Sequence, residues 1–139
     1  MTEQQAHEAI AQRFKTQWAT LHPSMPIVLG NEVAESAAEW VRLAIVPATS
    51  RQTAVGGLKR WTREGTIGVQ IFTPSGAGTA RASELADDAR TALEGQFLTV
   101  SGEQEPVVTY GGSSGLPLAD GKWFIQTVTF GYRFDHLRA

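Results

Sequence analysis

Residues 66–72 alternate without a break: Ile67, Val69 and Ile71 fall on one side, Thr66, Gly68 and Gln70 on the other. Side chains of a strand point to opposite faces in turn, so this pattern belongs to a strand with one face buried and one wet. A sheet of such strands needs a second layer over its apolar face. The chain offers that layer twice. Ala6, Ile10, Phe14, Trp18 and Leu21 recur at steps of four or three, the stripe of a helix, while Glu3, Glu8, Arg13 and Lys15 lie off it. Thr2 followed by Gln5 suits a capping box at the start of this helix, its acids precede its bases, and Pro23 and Pro26 stop it. A second helix is expected over about Ala80–Leu93, with Ala82, Leu85, Ala86, Ala89 and Leu93 inward and Glu84, Asp87, Asp88 and Arg90 outward. Ser75 or Thr79 suits its cap and Gly95 its end.

The remaining segments read as strands and connections. Ile27–Leu29 is a brief strand or an extended connector, and the acidic, Ala-rich residues 31–39 a loop, with a helical turn as the rival. In Trp40–Val46, Val41, Leu43 and Ile45 share one face and Trp40, Arg42 and Ala44 the other, and Pro47 is expected to end that strand. Residues 47–58 have no periodicity and contain Gly56-Gly57, which predicts a long loop that is functional or mobile. Phe97–Val100 and Pro106–Tyr110 are short strands, and Gly111–Gly121 a flexible loop. Lys122–Phe134 reads as one long strand. Its apolar side is Phe124, Val128, Phe130, Tyr132 and Phe134, and Trp123 and Ile125 add a second buried side at its start. The expected fold class is α+β: two layers, a mostly antiparallel sheet of five or six strands with two amphipathic helices packed on it, in a single domain over residues 1–139.

Composition fits one self-supporting domain: 139 residues, 42% hydrophobic, 19% charged. The net charge of −2 gives no whole-molecule attraction to nucleic acid or an anionic membrane. With no cysteine, the chain has no disulfide, thiolate metal site or cysteine nucleophile. The first thirty residues lack a signal-peptide profile, and no apolar run nears the ~20 residues that span a bilayer.

No reactive constellation stands out. His7, His22 and His136 have no metal-like spacing and read as surface or partly buried residues; Asp135-His136 lacks a serine elbow to complete a triad. Gly76-Ala77-Gly78-Thr79 precedes a helix but lacks the Lys of a P-loop, so it reads as a strand-to-helix turn. Charge distribution says more. Between Glu39 and Glu64 lie five bases, Arg42, Arg51, Lys59, Arg60 and Arg63, and no acid, whereas the second helix carries Glu84, Asp87, Asp88 and Glu94 against Arg81 and Arg90. Such clusters are either solvated faces or complementary patches, and unlike patches suit a head-to-tail contact between identical copies. Arg51, Lys59, Arg60, Trp61 and Arg63 are therefore the candidate interface residues, with Trp61 either an anchor or a strand residue packed on the first helix.

The order of these pieces resembles a known family. Trp40-Val41-Arg42-Leu43, the Gly56-Gly57 loop and Thr66–Phe72 are followed by Pro74-Ser75-Gly76-Ala77-Gly78-Thr79, the Ala-rich helix and Gly121-Lys122-Trp123-Phe124. Over most of its length, and most strongly over residues 65–93, the chain is similar to the small tail-terminator proteins of long-tailed bacteriophages, the lambda minor tail protein U type. That resemblance implies a non-enzymatic virion protein of a phage or prophage, with no catalytic, cofactor or metal residues. It implies a homohexameric ring that caps the tail tube, ends polymerisation and presents the head-joining surface. Its implied partners are further copies of itself, the tail tube protein and head–tail connector proteins, with assembly in the host cytoplasm and a final place in the virion tail. Two alternatives stand beside it. One is another neck or connector adaptor. The other is a ligand-binding or enzymatic α+β domain with Trp40, Trp123 and Tyr110 lining a pocket.

Overall fold

In the computed structural model, which describes residues 1–30, 38–52, 57, 59–76, 79–103 and 105–138, the first helix starts at its capping box. The Gln5 backbone N–H donates to Thr2 Oγ1 at 3.2 Å and the Thr2 N–H to Gln5 Oε1 at 2.8 Å, satisfying donors that a helix start leaves open. Helix α1 (Glu3–Leu21) buries Ala6, Ile10, Phe14 and Trp18. Leu21, expected in the same stripe, is 43% exposed, because it closes the helix and His22 already leaves helical geometry as the C-cap. Helix α2 (Ala80–Leu93) buries Ala82, Leu85, Ala86, Ala89, Ala92 and Leu93; Thr79 holds its N-cap position without a side-chain hydrogen bond. The carbonyls at its C-terminal end are taken up by neighbours. Arg13 of α1 donates to Ala92 O at 2.9 Å, and the buried Thr109 hydroxyl donates to Leu93 O.

Beneath the helices lies a mixed sheet of seven described strands rather than five or six. They are β1 (Ile27–Leu29), β2 (Trp40–Gln52), β3 (Lys59–Pro74), β4 (Phe97–Leu98), β5 (Val107–Ser114), β6 (Leu118–Asp120) and β7 (Trp123–Arg138). The order is β1-β2-β3-β7-β5-β4, with β6 paired to β7; β1 runs parallel to β2 and the other pairings are antiparallel. Pro47 does not end β2. It sits where the register shifts between Val46 and Thr49, on the stretch of β2 that β1 does not cover, and a bulge on an open edge tolerates a missing N–H. Likewise β3 begins at Lys59, seven residues before the alternating core segment, because β2 and β7 flank it on both sides. The expected loop over 47–58 therefore contracts to the connection between Gln52 and Lys59, of which residues 53–56 and 58 lie outside the described residues. Residues 31–37, part of the expected acidic loop, also lie outside them, as do Ala77 and Gly78 of the glycine-rich turn.

The expected flexible loop over 111–121 is also largely strand. β5 continues to Ser114 across a register shift at Gly112, whose φ of +133° suits glycine. Arg90 of α2 holds that bulge by donating to Gly112 O at 2.9 Å and to the Ser114 hydroxyl. β6 then pairs with the first residues of β7.

The sheet's two faces differ. On the helix side, Val41, Leu43, Ile67, Val69, Ile71, Val128, Phe130, Tyr132 and Phe134 join the helical stripes in one core. On the other side a smaller cluster forms at one end, from Val28, Trp40 and Phe72 with Trp123 and Ile125 packed against it. Trp40 stacks on Phe72 at 3.8 Å, and the Arg42 guanidinium lies 5.3 Å from each ring. This is the second buried side that Trp123 and Ile125 announce in the sequence.

Two tyrosines lie over glycines, with different consequences. A Cβ on Gly65 would sit 2.6 Å from the Tyr132 ring, and one on Gly131 would sit 2.4 Å from the Tyr110 ring. Tyr132 is fully buried and pinned: its hydroxyl donates to Val46 O at 3.0 Å, at the β2 register shift, and lies 2.9 Å from His7 Nε2. Burial first, and the Glu3 charge second, push its pKa up to about 12, so it remains a donor at neutral pH. Tyr110 is 42% exposed and has room to swing away. Gly65→Ala is therefore expected to lose about 1–3 kcal/mol by overpacking, and Gly131→Ala to stay within about 1 kcal/mol of the parent. Urea unfolding of both variants measures this, and equal losses would show that the hydrogen bonds do not hold Tyr132 in place.

Candidate assembly interface

The sequence-predicted interface residues fall on the end of the sheet formed by Thr49–Gln52, Lys59–Gly65 and Tyr132–Arg138, in register across β2, β3 and β7. The N-terminus of α1 abuts this end, where His136 Nδ1 donates to Met1 O at 2.6 Å. Strand alternation divides the five candidates between the two faces.

Arg51 and Arg60 lie on the side away from the helices. Arg51 reaches Glu64 at 3.3 Å, and Arg60 reaches Glu105 at 2.9 Å and Asp135 at 3.5 Å. Asp135 also accepts from the Thr62 hydroxyl at 2.8 Å. Around a cleft of about 280 Å3, Arg51, Thr62, Glu105, Arg133 and Asp135 form a surface of alternating charge. The run of bases without an acid is therefore compensated in space: the fold brings Glu105 and Asp135 to Arg60 from distant segments, and Glu64 to Arg51 across the hairpin.

Lys59, Trp61 and Arg63 share the other face, the one towards α1. Trp61 is half-buried between Gln52 and His136 of the flanking strands, so it is a strand residue. Arg63, half-buried, lies 6.0 Å from the Phe134 ring centroid, an attraction of about 0.5–1 kcal/mol. Among the described residues neither Lys59 nor Arg63 has an ion-pair partner. Lys59 and Arg63 are thus the two candidate cations that no described acid pairs.

The acidic face of α2 is more internally matched than its sequence indicates. Asp87 pairs with Arg90 at 2.8 Å, Asp88 with His22 at 2.7 Å, and Glu84 with Arg81 at 3.2 Å. Arg81 also holds Glu39 through hydrogen bonds of 2.9 and 3.0 Å, and these raise its pKa further. All three histidines are hydrogen-bonded, to Tyr132, Asp88 and Met1 O. Asp135 and His136 point to opposite faces of β7 and form no dyad.

Among the described residues no group of His, Asp and Glu is placed to hold a metal, and no helix is long and apolar enough to cross a membrane. Trp40 and Trp123 pack against Phe72 instead of opening a pocket, and Tyr110 covers Gly131. None of these three lines the clefts bordered by Arg51, by His22 or by Ala9. One exposed apolar element escaped the sequence reading: Leu116 and Leu118, 96% and 61% exposed on either side of Pro117. The signal was an apolar triplet between glycines, in a stretch read only as a flexible loop.

Comparison with known proteins gives this architecture a context. One solved structure covers 100% of this chain and 97% of its own at TM-score 0.71 and 18% identity. A second, from the virion of a native gene transfer agent particle, covers 93% of each chain at TM-score 0.58 and 16% identity. At these identities they show a shared fold. No curated protein matches. A family model described as phage tail terminator protein matches residues 5–132, from the first turn of α1 to the buried Tyr132, and so spans both helices and every described strand up to that point. With helices, sheet and connections all inside that match, the chain belongs to the phage tail terminator family.

Proposed function

We propose that this phage tail structural protein caps the tail tube as a homohexameric ring, ending polymerisation and offering the surface that meets the head connector. Family membership supports the reading. The observation that carries it is the pair of cations Lys59 and Arg63, without an ion-pair partner among the described residues, at one end of the sheet beside α1, unlike the matched charges behind it. A surface of one sign is not self-complementary, so it suits a heterologous contact, and heterologous contacts close into rings where the rotation permits. The family is structural and non-enzymatic, and the partners of such a ring are tube and connector proteins.

Sedimentation over a concentration series tests this. The mass is expected to rise from 15.0 kDa toward about 90 kDa, six copies in a closed ring, at high concentration or when tail tube protein is added. A dimer at every concentration, unchanged by tube protein, would overturn it. A ring that binds the connector while leaving tubes uncapped would instead indicate a neck adaptor.

A further inference from the structure

Between β5 and β6 the chain makes a short excursion, Gly115-Leu116-Pro117, whose ends are both fastened to β7. Gly115 N–H donates to Thr127 O at 2.9 Å, Gln126 Nε2 donates to Gly115 O at 2.7 Å, and Leu118 pairs with Ile125. Pro117 further limits the backbone. Leu116 is nonetheless 96% exposed and Leu118 61%. Leu118 also continues a row across four strands: Trp40 lies opposite Phe72, Phe72 opposite Ile125, and Ile125 opposite Leu118. The buried cluster on this face thus runs out into bare leucines at its edge. An apolar protrusion held this firmly loses little freedom when it is covered.

The same chain carries a receptor of matching chemistry elsewhere. A groove of about 660 Å3 runs along α1, with Ala9, Ala11, Leu29 and Val100 among its lining. Ala9, Ala11 and Val100 are partly buried and pack against the main core. Leu29 ends β1 and Val100 follows β4, so strands from opposite ends of the sheet order meet at this groove.

We propose that the Leu116–Leu118 tip of one copy seats in this groove on the next copy, an inference that rests on the ring reading above. Tip and groove are different surfaces, so the contact is heterologous and propagates around a ring instead of ending at a pair. It is also small. Stable pairs bury about 1,200–2,000 Å2, more than a three-residue tip supplies, so an isolated dimer is weak. In a closed ring every copy makes the contact twice and the final one forms within a single particle, at high effective concentration. The tip carries no charge, and the two charged residues that border the groove, Glu8 and Lys15, are of opposite sign, so the contact depends less on salt than the cationic face does.

The chain has no cysteine, so introduced thiols report the contact cleanly. The variant carrying Leu116→Cys and Leu29→Cys, assembled with tail tube protein and treated with a short bismaleimide, is expected to give a covalent ladder beyond the dimer. Each single variant is expected to give none. Leu116→Asp, at a fully exposed position, is expected to keep the parent's thermal melt while needing at least about tenfold more protein to assemble, about 1.4 kcal/mol per contact. Three results would overturn the contact and leave the ring standing. These are a ladder that stops at the dimer, no ladder while sedimentation still shows rings, or Leu116→Asp rings that form normally and fail only to cap tubes. If the parent itself never assembles, the ring reading falls, and this contact with it.

Discussion

Phe14→Ala is expected to lower the free energy of unfolding by about 3–5 kcal/mol, and Ile71→Ala by about 2–5 kcal/mol. Both side chains are fully buried, one in the helical layer and one in the sheet beneath it. Phe14 stacks on Trp18 at 5.2 Å along the α1 stripe. Ile71 faces the helices between Val41 and Gln126 of the neighbouring strands. Truncation removes transfer free energy and leaves a cavity that closely packed neighbours fill only in part. Leu21→Ala is the control: at 43% exposure its loss should stay near about 0.5 kcal/mol. Urea unfolding followed by tryptophan fluorescence measures all three. If Ile71→Ala keeps the parent's midpoint, β3 is one residue out of register and Phe72, not Ile71, faces the helices.

Such a register error would be conspicuous, because the sheet's pattern is legible wherever one face is apolar. Ile67, Val69 and Ile71 mark the covered side, and Val41, Leu43, Val128, Phe130 and Tyr132 follow from the same period of two. The helices are legible for a related reason, a stripe on one face and recognisable chemistry at the start of α1. What the pattern does not show is where strands continue after the apolar alternation stops. Thr49–Gln52 and Lys59–Glu64 are polar on both faces except for Trp61, so no apolar alternation separates strand from loop there. They are strands because β2, β3 and β7 complete one another's backbone hydrogen bonds, and that pairing joins residues far apart in sequence. The β6 segment was hidden similarly, since glycines and a proline dominate the sequence around it.

The same long-range pairing decides which cations are available. A count along the chain treats Arg60 like Arg63, yet the fold gives Arg60 two carboxylates and Arg63 an aromatic ring. On the acidic helix, Glu84 and Asp87 meet Arg81 and Arg90 one turn away, which the spacing already permits, whereas the contact of Asp88 with His22 comes only from the packing of α2 against the end of α1.

Changing Lys59 and Arg63 together to serine is therefore expected to abolish most tube capping while leaving the subunit nearly as stable as the parent. Exposed charges contribute about 0–1 kcal/mol each to stability, and the ring contact of Arg63 adds about 0.5–1 kcal/mol at most. Assembly is expected to depend on them differently. Among the described residues neither has an ion-pair partner, so their attraction to an acidic partner is strongest at low salt and is screened within about 10 Å at 0.1 M. The gap between variant and parent is accordingly expected to narrow as salt rises, because the parent loses what the variant already lacks. Arg60→Ser is the contrasting change. It leaves Glu105 and Asp135 without their cation, alters stability by about 1 kcal/mol or less, and is expected to cap tubes like the parent. Capping measured by tube length in electron micrographs, across a salt series, separates the two. If Arg60→Ser fails and the double variant caps normally, the partner meets the sheet's uncovered face and not the face beside α1. If the double variant caps normally and only unfolds earlier, Lys59 and Arg63 serve the fold alone.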